Sequence, residues 1–184
     1  YINMLLRVVL SPLLPLIEKD LGLTHSGAGS FFMMIALGYA TGLFGSGFVS
    51  ARLSHRWTIV IASVAGGCFF GLIAVSQALW AIRLGLVFLG VASGLYLPSG
   101  MTMITASIRP DHWGKAIALH EFAPTLAFIS APLIVEGLLL FCRWQEILIL
   151  IGASSVCLGL VFFRLAPGKD FSGEAPTLDN IRLL

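Results

Sequence analysis

Residues 79–108 read LWAIRLGLVFLGVASGLYLPSGMTMITASI, thirty consecutive positions with one charged side chain, Arg83. A membrane-spanning helix needs about 20 predominantly apolar residues, so this stretch reads as a span with length to spare. The surplus lets it tilt or project beyond the bilayer. Within it, Gly90 and Gly94 form a G-x-x-x-G pair, followed by Pro98 and Gly100. Small residues at that spacing let two helix backbones approach closely, which is a packing signal and not a catalytic one.

Similar runs lie on both sides. Upstream are Tyr1 to Ile17, about Ala28 to Val49, and Trp57 to Ser76; downstream are Ala116 to Phe141 and Ile147 to Leu165. The breaks between them are short and polar: Glu18-Lys19-Asp20, Arg52-Leu53-Ser54-His55-Arg56, Gln77-Ala78, Arg109-Pro110-Asp111-His112 and Cys142-Arg143-Trp144-Gln145. Connections this short make neighbouring helices antiparallel. The expected fold is therefore an all-α membrane protein of six transmembrane helices, the first truncated. The chain opens at Tyr1 inside an apolar run, without a charged leader, so we expect a piece of a longer protein. Three plus three helices of opposite orientation would form an inverted repeat.

Composition agrees. The chain is 58% hydrophobic and 11% charged, with a mean hydropathy of +0.96. Soluble domains carry about 25% charged residues. Disorder is excluded, because it needs low hydrophobicity. A net charge of +2 gives no reason to expect a nucleic-acid partner. Cys68, Cys142 and Cys157 have no metal-ligand spacing, and no metal or cofactor is implied.

Lys and Arg set the orientation. If the first span exits the cytoplasm, the inner side carries Arg52, Arg56, Arg109, Lys115, Arg164, Lys169 and Arg182, and the outer side Lys19 and Arg143, seven against two. Both ends are then expected in the cytoplasm, in a cell (inner) membrane. Trp57, Trp80, Trp113 and Trp144 fall at span edges, as interfacial aromatics do. The expected organisation is a six-helix bundle over residues 1–165 and a polar cytoplasmic linker over 166–184.

Three stretches carry a family resemblance. Leu10-Ser11-Pro12-Leu13-Leu14-Pro15, followed by Asp20-Leu21-Gly22-Leu23, is similar to the opening helix and first outer loop of the major facilitator superfamily. Gly47-Phe48-Val49-Ser50-Ala51-Arg52-Leu53-Ser54-His55-Arg56 resembles that family's signature between helices two and three, roughly G-x-x-x-D-R-x-G-R-R. The stretch from Gly90 to Gly100, with the loop ending at Gly114-Lys115-Ala116, is the third. Gly47, Arg52 and Arg56 fit the signature and are the expected gating-loop residues. Ala51, Ser54 and His55 depart from it, standing where the family usually has Asp, Gly and Arg. Ala127-x-x-x-Ala131-Pro132 is similar to the glycine-proline motif of antiporters, with Ala for Gly, a lean toward exchange or efflux. The resemblance implies the N-terminal half of a twelve-helix secondary transporter. Such a half works by alternating access with a C-terminal half, the small-molecule substrate lying between them near the midplane.

Charges inside spans cost about 2.5–3.5 kcal/mol each, so each needs a reason. Counted inward from Glu18, Arg7 lies about 16 Å deep, near mid-membrane. It is the leading substrate or coupling residue and suits an anionic group; a structural cation paired to backbone carbonyls is the competing reading. Arg83 and Glu136 fall at similar depth and are expected to form an ion pair. His120 and Glu121 can both titrate and suit proton coupling. As helix neighbours they point about 100° apart, so Glu121 has Arg52 or Arg109 as alternative partners. Tyr39 and Tyr96 could hydrogen-bond a substrate or simply pack.

Two other classes were weighed. A rhomboid-type protease needs Ser in a G-x-S-G setting and a His on its sixth helix. Leu97-Pro98-Ser99-Gly100 fits poorly and the sixth run has no His, so no enzyme is expected. No H-E-x-x-H is present either. A non-transporting membrane scaffold, or a truncated half-transporter, remains the alternative.

Overall fold

The computed structural model describes residues 1–166; the linker expected beyond that lies outside the described residues. Every regular element among them is helical: α1 (Ile2–Val8), α2 (Leu10–Leu21), α3 (His25–Val75), α4 (Leu79–Ser107), α5 (Trp113–Leu139) and α6 (Trp144–Leu165). A single 3₁₀ turn, Pro110–His112, precedes α5.

α1 and α2 form nearly one rod, since Val9 between them keeps helical angles (φ −64°, ψ −22°). Pro12 and Pro15 cannot donate to the carbonyls of Val8 and Ser11, which loosens the ladder at this junction without breaking it. The rod runs through Glu18-Lys19-Asp20, read above as a break, and ends at Leu21. Gly22 in the left-handed region (φ 62°) then caps it. Leu6, Val9, Leu10 and Leu13 are fully buried, so this rod forms much of the core.

α3 spans 51 residues but holds two helices that meet at Ser54, inside Arg52–Arg56, the stretch expected as a break. A straight helix of that length would reach about 77 Å, far beyond a hydrocarbon core of about 30 Å. Ser54 resolves this with φ 66° and ψ 158°, the only non-helical residue inside the element. The two arms then lie side by side against α4. Gly90 of α4 meets the backbone at Ile35 and Tyr39 on the first arm, while Gly85 meets the side chain of Ile73 on the second.

The G-x-x-x-G pair does what its spacing implies. Gly90 and Gly94 abut Gly38 and Gly42 of α3, where a Cβ on either would run into opposing backbone. The second arm also packs on α6, with Ser155 Oγ donating to the Ser63 carbonyl at 2.9 Å. Near the end of α2, Asp20 accepts from Trp144 Nε1 and Gln145 Nε2, both at 3.0 Å, joining α2 to α6. Trp144 is only 6% exposed, so its indole is a buried tie and not the interfacial aromatic expected.

Large apolar side chains elsewhere point outward, among them Phe44, Leu72, Leu119, Leu133 and Phe141. Water would penalise so much exposed apolar surface; lipid does not. α3, α4, α5 with its preceding turn, and α6 are each long and apolar enough to cross a bilayer. The chain is a multi-pass membrane protein.

Candidate functional site

Arg7, Tyr39, Tyr96 and His120 were expected on four separate runs, and the fold brings them to one place. They line a cavity of about 40 Å³ with Asn3 and Pro124. Arg7 sits in the last turn of α1, half-buried. Its guanidinium carbon lies 4.3 Å from the centroid of the Tyr39 ring, a distance at which a cation is held by the ring face. Nη2 donates to Met4 Sδ at 2.9 Å, and Nε is buried without a partner. Among the described residues no carboxylate pairs with it; Asp111 pairs with Arg109, and Glu18 and Glu121 contact His25 and His120.

Opposite Arg7, Tyr96 and His120 stack with centroids 6.2 Å apart and planes 17° from parallel. The Glu121 carboxylate can only accept, so the 3.2 Å contact makes His120 Nδ1 the donor. In the neutral imidazole Nε2 then accepts from the Tyr96 hydroxyl at 3.4 Å, and in the imidazolium it donates to it. The result is a chain from Tyr96 through His120 to Glu121. His120 lines the cavity and is 13% exposed, while Glu121 is 56% exposed. Neighbours on a helix thus serve one site by contacting each other. Neither expected alternative for Glu121 forms, since Arg109 pairs with Asp111 at 3.3 Å and Arg52 is exposed.

A larger cavity of about 360 Å³ lies on the other side of Arg7, lined also by Ser11, Pro12, Phe32, Phe128 and Pro132. Sequence reasoning missed Asn3, Ser11 and Phe128, although their spacing was available. Asn3, Arg7 and Ser11 stand four residues apart, and so do His120, Pro124, Phe128 and Pro132. That spacing puts each set on one helical stripe, and both stripes border these cavities.

The expected Arg83–Glu136 ion pair is not formed among the described residues. Arg83 is half-buried on α4 with Nε unpartnered, while Glu136 is exposed on α5. The depth estimate fixed their height but not their direction around each helix. In the gating stretch, Gly47 is half-buried and Arg52 exposed. Arg56 donates to the Phe163 carbonyl and lies 4.9 Å from that ring's centroid, with Trp57 against the same ring at 4.7 Å. Arg56 therefore holds the second arm of α3 to the end of α6. His55, one of the departures from the family pattern, is buried with Nδ1 3.2 Å from Ser99 Oγ of α4. Among the described residues no cluster of three His, Cys, Asp or Glu could hold a metal.

Comparison with known proteins bears on the fold and the family. A Bacillus subtilis hexuronate transporter is 25% identical over 180 residues, covering 96% of this chain and 42% of its own length. The human solute carrier family 2, facilitated glucose transporter member 6 is 28% identical over 173 residues, covering 89% of this chain and 34% of its own. A crystal structure of a peptide transporter, POT, superposes on the whole chain with a TM-score of 0.68 at 17% identity, using 39% of that protein. The chain thus spans about a third to two fifths of the length of these relatives. A family model described as Major Facilitator Superfamily matches residues 2–179, and the chain belongs to that superfamily.

Proposed function

We propose that this chain is the N-terminal half of a secondary active transporter that moves a small organic anion by alternating access. In this reading the two arms of α3 count as separate spans, giving six, arranged as a 3+3 inverted repeat over residues 1–165. Residues 166–184 lead as a cytoplasmic linker toward a second six-helix half. The arginine-rich loops face the cytoplasm, and the membrane is the cell (inner) membrane.

The observation that carries the substrate charge is Arg7. A cation this deep in a span is costly, and here it has no carboxylate to offset it. It is held at one face by Tyr39, and its Nε is left unsatisfied. An anion arriving at Arg7 would supply the missing partner as a charge-assisted hydrogen bond. Hexuronate, which the B. subtilis relative's name says it carries, is such an anion. His120 would move the coupling proton, because the Tyr96–His120–Glu121 chain offers both an acceptor and a carboxylate counter-charge. Gly47, Arg52 and Arg56 would act at the gate, with Arg56 already committed to α6.

The test is flux through the full-length protein in vesicles, with and without a proton gradient, across a panel of organic anions. Arg7→Ala should abolish gradient-dependent flux. Flux that ignores Arg7 would make the residue structural. No flux from folded protein would favour a scaffold.

A further inference from the structure

The cavity of about 360 Å³ beside Arg7 says more about the substrate than its charge. Its volume is in the range of small-molecule sites, whereas the cavity of about 40 Å³ behind Arg7 has room for little more than a water. An anionic head at Arg7 must therefore project its body into the larger space. Arg7 and the Ser11 hydroxyl are the polar side chains there; the rest is apolar, with Phe32 of α3, Phe128 of α5, and Pro12 and Pro132. Phe32 and Phe128 line this cavity and are not enclosed by the core.

We infer that this half recognises an organic monoanion with a compact apolar body, such as an arylalkanoate, and disfavours polyhydroxylated acids. The inference rests on the Arg7 reading above and adds the body of the substrate to its charge. On the side facing this half a sugar acid would bring several hydroxyls against a wall offering it one, and each hydroxyl buried there without a partner is destabilising. An aryl or branched alkyl body asks for no such partners and can lie against Phe32 and Phe128. The wall thus differs in kind from what a hexuronate would need.

The test uses the full-length protein in vesicles and two probes, radiolabelled phenylacetate and glucuronate, with leakage into protein-free vesicles subtracted. Wild-type flux of phenylacetate should exceed that of glucuronate at least about tenfold. Phe128→Ala should lower phenylacetate flux about tenfold, and Phe128→Leu, which keeps bulk without the ring, should fall between. Glucuronate preferred, with its flux lost in Arg7→Ala, would overturn the apolar-body inference and leave the Arg7 reading standing. Flux of neither probe depending on Arg7 would remove both. Phenylacetate flux unchanged in Phe32→Ala and Phe128→Ala, at equal membrane levels, would also overturn the placement of the body.

Discussion

Replacing Gly94 by Ala should weaken the bundle, although helix propensity alone favours the change by about 0.8–1.0 kcal/mol. A Cβ at Gly94 would lie 2.8 Å from the Leu43 amide nitrogen and 2.9 Å from Gly42 Cα, with the Tyr39 carbonyl oxygen nearer still. Ordinary contact begins at 3.4 Å, so α3 and α4 must part by 0.6 Å at Leu43 alone. Every one of those atoms is backbone and none can swing aside. Gaps of 0.5–1 Å forfeit about a quarter to a half of a dispersion contact. Overpacking of this kind costs about 1–3 kcal/mol. Gly45 is the internal control, on the partner helix α3 with nothing within 4 Å of a built Cβ. Gly45→Ala should leave stability unchanged or raised. The assay is the midpoint temperature of the full-length protein in detergent, read by size-exclusion chromatography after heating. If Gly94→Ala melts at or above Gly45→Ala, the close α3–α4 crossing is wrong.

Ser54→Gly should stabilise the protein by about 1 kcal/mol, because φ 66° with ψ 158° is strained for any residue with a Cβ. The Ser54 carbonyl, which accepts from Thr58 Oγ1, is retained in the variant. A lower melting temperature would mean that the serine side chain contributes more than the strain costs. His55→Ala and Ser99→Ala, combined in a double-mutant cycle, should show a coupling of about 0.5–1.5 kcal/mol from their buried hydrogen bond. Additive effects would show that the contact is not maintained.

The sequence made the helices legible because bilayer thickness imposes a length on apolar runs, and 79–108 alone exceeds what a soluble core helix needs. It also located the close crossing, since G-x-x-x-G acts through backbone approach and needs no knowledge of the partner. It placed the turn between the second and third runs at Arg52–Arg56, where charge density implies exposure to water, and read more of that stretch as loop than the structure has. Exposure is compatible with helix, however, and a single residue at Ser54 suffices to turn the chain. Trp144 was misread for a related reason. An indole at a span edge can face lipid or find a buried acceptor, and only the position of Asp20 decides. Arg83 and Glu136 show the limit of depth arithmetic, since rise per residue gives height and says nothing about which way each helix is turned. Arg7, Tyr39, Tyr96 and His120 were each legible as polar residues at depth. Their convergence was not, because it depends on α1, the first arm of α3, α4 and α5 meeting at one height. The residues between them, Asn3, Ser11 and Phe128, carried a readable four-residue spacing.

The central claim is that Arg7, which has no carboxylate partner among the described residues, presents its positive charge to a water-filled path taken by an organic anion. Ser11 is exposed and shares the larger cavity with Arg7, which makes it a reporter that leaves the cation in place. In the full-length protein, with other cysteines replaced, Ser11→Cys would be exposed to a water-soluble thiol reagent with and without organic anions. The account predicts labelling from water, slowed by a transported anion, and loss of that protection when Arg7→Ala is added. Labelling only by a lipid-soluble reagent, or protection that persists without Arg7, would contradict it.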